Sequence, residues 1–219
     1  MKTTNIIFIL FILCISSIYA QQPPFYNEIQ QFKKLDSLHK PQQHAILFTG
    51  SSSIRVWGNI QKYFPEYPLI NRGFGGSTIP DVIRYADIII FPYNPKQILI
   101  YCGENDMVDT AQVTPQVVTN RVKQLITLIR SRLEDVNILY VSIKPSPSRA
   151  YLMPRFAQAN TMIEAYLKTI SNTRFINVYS SMLNANGTPR EELFMEDRLH
   201  MKPNGYALWQ QIIKPYLVK

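Results

Sequence analysis

A three-layer α/β/α domain built on a doubly wound sheet of about five parallel strands is the fold class that residues 21–219 predict. Three observations carry it. Short runs that are apolar at every position recur along the chain, as strands buried on both faces of a parallel sheet require. Segments with apolar residues at three- and four-residue spacings separate them, the pattern of amphipathic helices. Five of the eight glycines, Gly50, Gly73, Gly75, Gly76 and Gly103, stand just past the first three runs, where such a sheet turns its chain tightly and gathers its ligands.

The elements follow in order after Pro23-Pro24. Tyr26, Ile29, Phe32, Leu35 and Leu38 mark a first helix over Tyr26 to Leu38. Ala45-Ile46-Leu47-Phe48 is the first strand, and the runs Leu69-Ile70, Ile98 to Tyr101, Ile138 to Ile143 and Phe175 to Val178 supply the others. Helical patterns lie near Ile79 to Ile90, Pro115 to Leu133 and Arg155 to Ile170, and a last one spans Tyr206 to Tyr216. No repeat, low-complexity stretch or linker interrupts residues 21–219, so a single domain is expected there.

Residues 1–20 read as a separate segment. Lys2 gives a positive start, Ile6 to Ile15 is a nearly unbroken apolar run, and Ser16-Ser17-Ile18-Tyr19-Ala20 ends on a small residue. That is the plan of a cleaved signal peptide, which predicts a secreted or periplasmic protein. An uncleaved membrane anchor is the alternative, although the run falls short of the roughly 20 apolar residues a span needs. Once the segment is removed, no stable membrane insertion is expected. Cys102 is then the only cysteine, so no internal disulfide forms, and its place at the end of an apolar run reads as a small buried hydrophobe.

The formal charge of +8 is scattered, with no run of four or more basic residues and no nucleic-acid-binding motif, so nucleic acid is not an expected partner. The same charge favours loose attraction to anionic surfaces such as acidic glycans or lipid head groups. With three histidines and no paired carboxylate or cysteine ligands, neither a metal site nor another cofactor is indicated.

Four blocks carry candidate chemistry. Phe48-Thr49-Gly50-Ser51-Ser52-Ser53 reads as a buried strand breaking into a serine-rich turn, and Asp197-Arg198-Leu199-His200 adds a base with a carboxylate one turn away. Asn71-Arg72-Gly73-Phe74-Gly75-Gly76-Ser77-Thr78 and Gly103-Glu104-Asn105-Asp106 offer backbone N–H groups and a side-chain amide. Each block alone has a plainer reading. The serines suit a helix N-cap, Ser77 or Thr78 suits another, and Asn105 suits a turn. Asp36-Ser37-Leu38-His39 repeats the Asp-x-x-His spacing on the first helix, where a solvated surface pair is expected, and His44 simply precedes the first strand.

With all four blocks present in one order, the chain resembles the SGNH hydrolases, the superfamily that includes the GDSL-type lipases and acylhydrolases. The resemblance covers most of residues 21–219 and implies a flavodoxin-like three-layer fold and ester hydrolysis by a serine nucleophile without a cofactor. It implies Ser52 as the nucleophile, His200 as its base and Asp197 as the carboxylate behind the base. The backbone N–H groups of Ser52 and Gly76 and the amide of Asn105 would form the oxyanion hole. Ser51 stands where the family usually has aspartate, so Ser51 and Ser53 stay open as alternative nucleophiles.

The substrate expected from the remaining signs is a short acyl group, acetyl in particular, on a carbohydrate or similar small ester. No long apolar insertion suggests a lid, and Trp57 and Phe74, close to the blocks, either stack on a sugar or pack in the core. Met153, Phe194 and Met195 fall in loops that would border a pocket, and Asn186-Gly187-Thr188 is read as a turn before it is read as a glycosylation acceptor. A lysophospholipase or thioesterase acting on longer chains is the alternative, and a non-catalytic glycan-binding protein is the third.

Overall fold

The computed structural model describes residues 22–219, so the predicted signal peptide at 1–20 lies outside the described residues. The chain runs α1 (Tyr26–Leu38), β1 (Ile46–Gly50), α2 (Ser52–Val56), β2 (Leu69–Gly73), α3 (Ile79–Ile89), β3 (Gln97–Tyr101), α4 (Pro115–Arg130), β4 (Asn137–Val141), α5 (Met153–Leu167), β5 (Thr173–Ile176) and α6 (Pro203–Ile213). The five strands are all parallel and stand in the order β2-β1-β3-β4-β5, the doubly wound sheet that the sequence predicts.

Alternate strand residues feed two apolar layers. Leu47, Ile98 and Ile100 meet Ile29 of α1, Val82 of α3 and Val122 of α4 on one face. Ile46, Phe48, Leu99 and Tyr101 meet Ile54 of α2 and Trp209 of α6 on the other. Both faces are covered, which is why these strands read as unbroken apolar runs. Winding reverses between β1 and β3, and the crevice at the carboxyl ends of those two strands is where this topology places ligands.

Gly50 shapes that crevice. Its φ is 127°, and a Cβ there would lie 1.9 Å from the Tyr101 carbonyl oxygen on the neighbouring strand. Only glycine lets β1 end so close to β3 and then turn sharply into α2.

Some expected boundaries shift for a physical reason. α5 starts at Met153 and α6 at Pro203, each with a proline in its first turn, where the missing N–H costs nothing. The last predicted helix ends at Ile213, and Lys214–Tyr216, which contains Pro215, continues as a 3₁₀ turn.

Two expectations are corrected. Asp36 is not a solvated partner of His39: it accepts from the Arg72 guanidinium and from the Tyr93 hydroxyl at 2.5 Å, tying α1 to the edge strand β2. Burial, reinforced by that hydrogen bond, pushes the Tyr93 phenol up to about 12. The sugar-stacking option for Trp57 and Phe74 also fails, because both rings are buried. Trp57 stacks on Tyr206 at 5.0 Å, and Phe74 packs edge-on to Phe25 at 5.3 Å. No helix among the described residues is long and apolar enough to cross a membrane.

Candidate active site

Ser52 opens α2. Ser51 before it is extended, with φ −86° and ψ −168°, and its N–H donates to the Tyr101 carbonyl at 2.9 Å, which pins the turn to β3. Ser51 and Ser53 are buried while Ser52 is partly exposed, so of the three hydroxyls it is the one that faces the crevice. In α2 the Ile54 and Arg55 carbonyls accept from the Trp57 and Gly58 N–H groups. The Ser53 carbonyl accepts from the Tyr206 hydroxyl at 2.9 Å. With the Trp57–Tyr206 stack, that bond fixes the serine turn to α6, the helix that follows the histidine.

His200 reaches Ser52 across 148 residues of chain: Nε2 lies 2.9 Å from Ser52 Oγ, and Nδ1 lies 2.5 Å from Asp197 Oδ2. Asp197 Oδ1 accepts the backbone N–H groups of Leu199 and His200, both at 2.9 Å. Partial burial pushes the Asp197 carboxyl up, but the hydrogen bonds from the His200 ring and the two N–H groups outweigh it and hold the group at about 2. The ionised carboxylate favours a proton on Nδ1, which leaves Nε2 free to accept from Ser52. Arg198 takes the left-handed conformation, φ 57°, to make this turn, and an antiparallel bridge between Phe194 and Met201 closes the loop beneath it.

The other two predicted groups converge through Ser77. Its buried hydroxyl lies 3.2 Å from both the Gly50 and the Phe74 carbonyl oxygens, and its own carbonyl accepts from Asn105 Nδ2 at 3.1 Å. One residue thus links the loops that follow β1, β2 and β3. Gly76, just before it, is exposed with φ 64°, and among the described residues its N–H meets no acceptor. Glu28 of α1 steadies this loop by accepting the Gly75 N–H at 3.0 Å. Of the two cap candidates in the sequence, Ser77 and Thr78, the cap is Thr78, whose side chain and that of Asp81 form a capping box.

Sequence reasoning missed a buried charged cluster behind Asn105. The Glu104 carboxylate accepts from the Tyr101 hydroxyl at 2.5 Å, Lys144 Nζ at 2.8 Å and Ser146 Oγ at 3.2 Å, and forms an ion pair with the Arg149 guanidinium at 3.2 Å. Burial alone would raise the Glu104 carboxyl, but Lys144 and Arg149 bring it below the ordinary carboxylate value. Burial lowers Lys144 in turn, and Glu104 opposes that shift. Lys144 to Arg149 follow β4 directly, so their position at the carboxyl end of a strand was the available signal.

Cys102 is buried, and burial pushes its thiol well up, far from a reactive thiolate. Among the described residues, no group of three or more His, Cys, Asp or Glu side chains is placed to hold a metal ion. Of the loop residues expected near a pocket, Met195 is exposed beside the Asp197 turn and Phe194 is buried.

The profile of the GDSL-like Lipase/Acylhydrolase family matches residues 49–208. No curated protein sequence matches the chain. Among solved structures, a Streptococcus pneumonia protein provisionally described as a platelet activating factor superposes with a TM-score of 0.77 at 20% identity, covering 88% of this chain and 92% of its own. A GDSL-like lipase from Bacteroides thetaiotaomicron gives 0.70 at 18% identity, over 85% and 95%. A catalytic mutant of Axe2, an acetylxylan esterase from Geobacillus stearothermophilus, gives 0.62 at 14% identity, over 80% and 95%. At these identities the likenesses establish a shared fold.

Proposed function

The chain belongs to the GDSL-like lipase/acylhydrolase family and is a serine ester hydrolase, and from that premise we propose that it is exported and removes short acyl groups, acetyl above all, from a carbohydrate or similar ester. The observation that carries the catalytic part is the continuous line from Ser52 Oγ through the two His200 nitrogens to Asp197, with contacts of 2.9 and 2.5 Å.

Ser52 Oγ attacks the ester carbonyl carbon as His200 Nε2 takes its proton. The carbonyl oxygen becomes an oxyanion, held by the N–H groups of Ser52 and Gly76 and by Asn105 Nδ2. Asp197 stabilises the imidazolium meanwhile. The C–O bond to the alcohol then breaks, His200 returns the proton to the leaving oxygen, and the acyl group stays on Ser52. A water molecule, deprotonated by His200, attacks that acyl-enzyme. The acid leaves, and Ser52 recovers its proton. The three oxyanion donors act where charge develops, so losing one of them costs roughly 10² to 10³ in rate.

The surroundings support a polar alcohol portion. Beside the Asp197 turn lies an open cleft of ≈ 380 Å³ with a mixed wall, in which Pro147, Ala150 and Pro189 stand beside Asn184, Thr188 and the Glu191–Arg198 pair, a combination that suits the apolar face and the hydroxyls of a sugar together. The acetylxylan esterase from Geobacillus stearothermophilus, which shares the fold, points the same way.

The test is a series of p-nitrophenyl esters from acetate to laurate. If the short-acyl assignment holds, kcat/KM is highest for acetate and falls beyond about four carbons. A rise toward laurate would replace the short-acyl assignment with a lipid one. No turnover of any ester by folded protein would remove the hydrolytic reading.

A further inference from the structure

We propose that Arg149 is a positioning residue for the oxyanion hole: anchored on Glu104, it orients and polarises the amide of Asn105 so that Nδ2 presents a strengthened donor to the substrate oxygen. The inference rests on the assignment of Asn105 to the oxyanion hole and deepens it.

The geometry is specific. Arg149 donates through one terminal nitrogen to Asn105 Oδ1 at 3.0 Å and holds Glu104 with the other at 3.2 Å. Asn105 Nδ2 meanwhile gives one hydrogen to the Ser77 carbonyl at 3.1 Å. A flipped amide would set its oxygen against that carbonyl and its NH₂ against the guanidinium, so both partners select the same orientation. The second Nδ2 hydrogen is left for the site. A charge-assisted bond to Oδ1 draws electron density toward the oxygen and makes the remaining N–H a better donor.

The cluster's charge balance favours the same role. One carboxylate, Glu104, faces two cations, Lys144 and Arg149, and Lys144 also lies over the Phe194 ring. Asp197 also acts on Lys144, which leaves the Arg149 guanidinium, bonded to Asn105 Oδ1, as the cation in direct contact with the amide. The backbone is built for this placement. Arg149 breaks the 3₁₀ run Pro147–Leu152 with φ −119° and ψ 26°, and neighbouring Ser148 donates its N–H to the Arg198 carbonyl at 3.0 Å. The segment after β4 thus touches the Asn105 side and the histidine turn at once.

The experiment is a double-mutant cycle on the full chain with p-nitrophenyl acetate, using Arg149→Met, Arg149→Lys, Asn105→Ala and the Arg149→Met/Asn105→Ala pair. Arg149→Met should lower kcat by about tenfold to a hundredfold with KM little changed, as loss of orientation alone does. Arg149→Lys, which keeps the charge but not the two-pronged geometry, should recover part of that loss. In the Asn105→Ala background the Arg149 substitution should cost nothing further, because the group it acts through is gone. Losses that multiply in the double variant, or a rise in KM at constant kcat, would overturn the positioning role and leave the oxyanion assignment standing. Wild-type kcat in Asn105→Ala would overturn that assignment and the proposal with it.

Discussion

Asp197 holds the His200 ring with one carboxylate oxygen and its own turn with the other, so a single side chain both orients the imidazole and closes the loop that carries it. Its value in the folded protein, about 2, lies below the unperturbed 3.8. Stability that depends on this ionised group is therefore complete above about pH 4 and is lost as pH falls through about 2. We expect Asp197→Asn to melt below the parent at pH 6, and the gap to close as both proteins are taken toward pH 2.5. Calorimetric melting across that range measures it; a gap that widens on acidification would contradict the assignment. Ser52, Asp197 and His200 stand in short local blocks that a reading of the sequence singles out, and the fold brings the three side chains into contact. Ser77 and Arg149 do not stand out in this way. Ser77 acts through its buried carbonyl and hydroxyl, which a cap reading hides, and Arg149 works on Asn105 from 44 positions away.

At the scale of elements, the central strands were legible because helices cover both sheet faces and bury nearly every position, whereas the edge strands β2 and β5, with Asn71, Arg72, Thr173 and Arg174, show only part of their length as an apolar run. The helix starts were less so. Proline at the head of α5 and α6 reads as a break when it is a tolerated first-turn residue. α2, with five residues, is too short to display a period, which is why Trp57 looked free to meet a sugar and in fact faces Phe48, Phe64 and Tyr206. Between elements, the β1–β3 approach at Gly50 decides where the serine turn stands. Gly50→Ala would force a Cβ against the Tyr101 carbonyl in a backbone region closed to it. We expect the melting temperature to fall by about 10 °C or more, as several kcal/mol of strain would produce in a domain of this size, with esterase activity lost alongside. A variant melting within 2 °C of the parent would show that the two strands separate more readily than their register implies.

Across the whole molecule, five loops at one end of the sheet assemble the site, and a few buried groups hold them in register. Ser77 joins the loops after β1, β2 and β3, the Glu104 cluster joins those after β3 and β4, and Tyr206 joins α2 to the histidine segment. Chain order and block spacing reveal which loops take part; the cross-links lie between residues 27 to 153 positions apart, a distance at which sequence carries no pattern. The central claim is that this assembly makes Ser52, and neither of its serine neighbours, the nucleophile. Labelling the protein with a fluorophosphonate and mapping the modified peptide tests it most directly, since the reagent traps the activated hydroxyl. The account predicts one adduct, on Ser52, absent in Ser52→Ala and greatly slowed in His200→Ala. An adduct on Ser51 or Ser53, or undiminished labelling of Ser52→Ala, would contradict it.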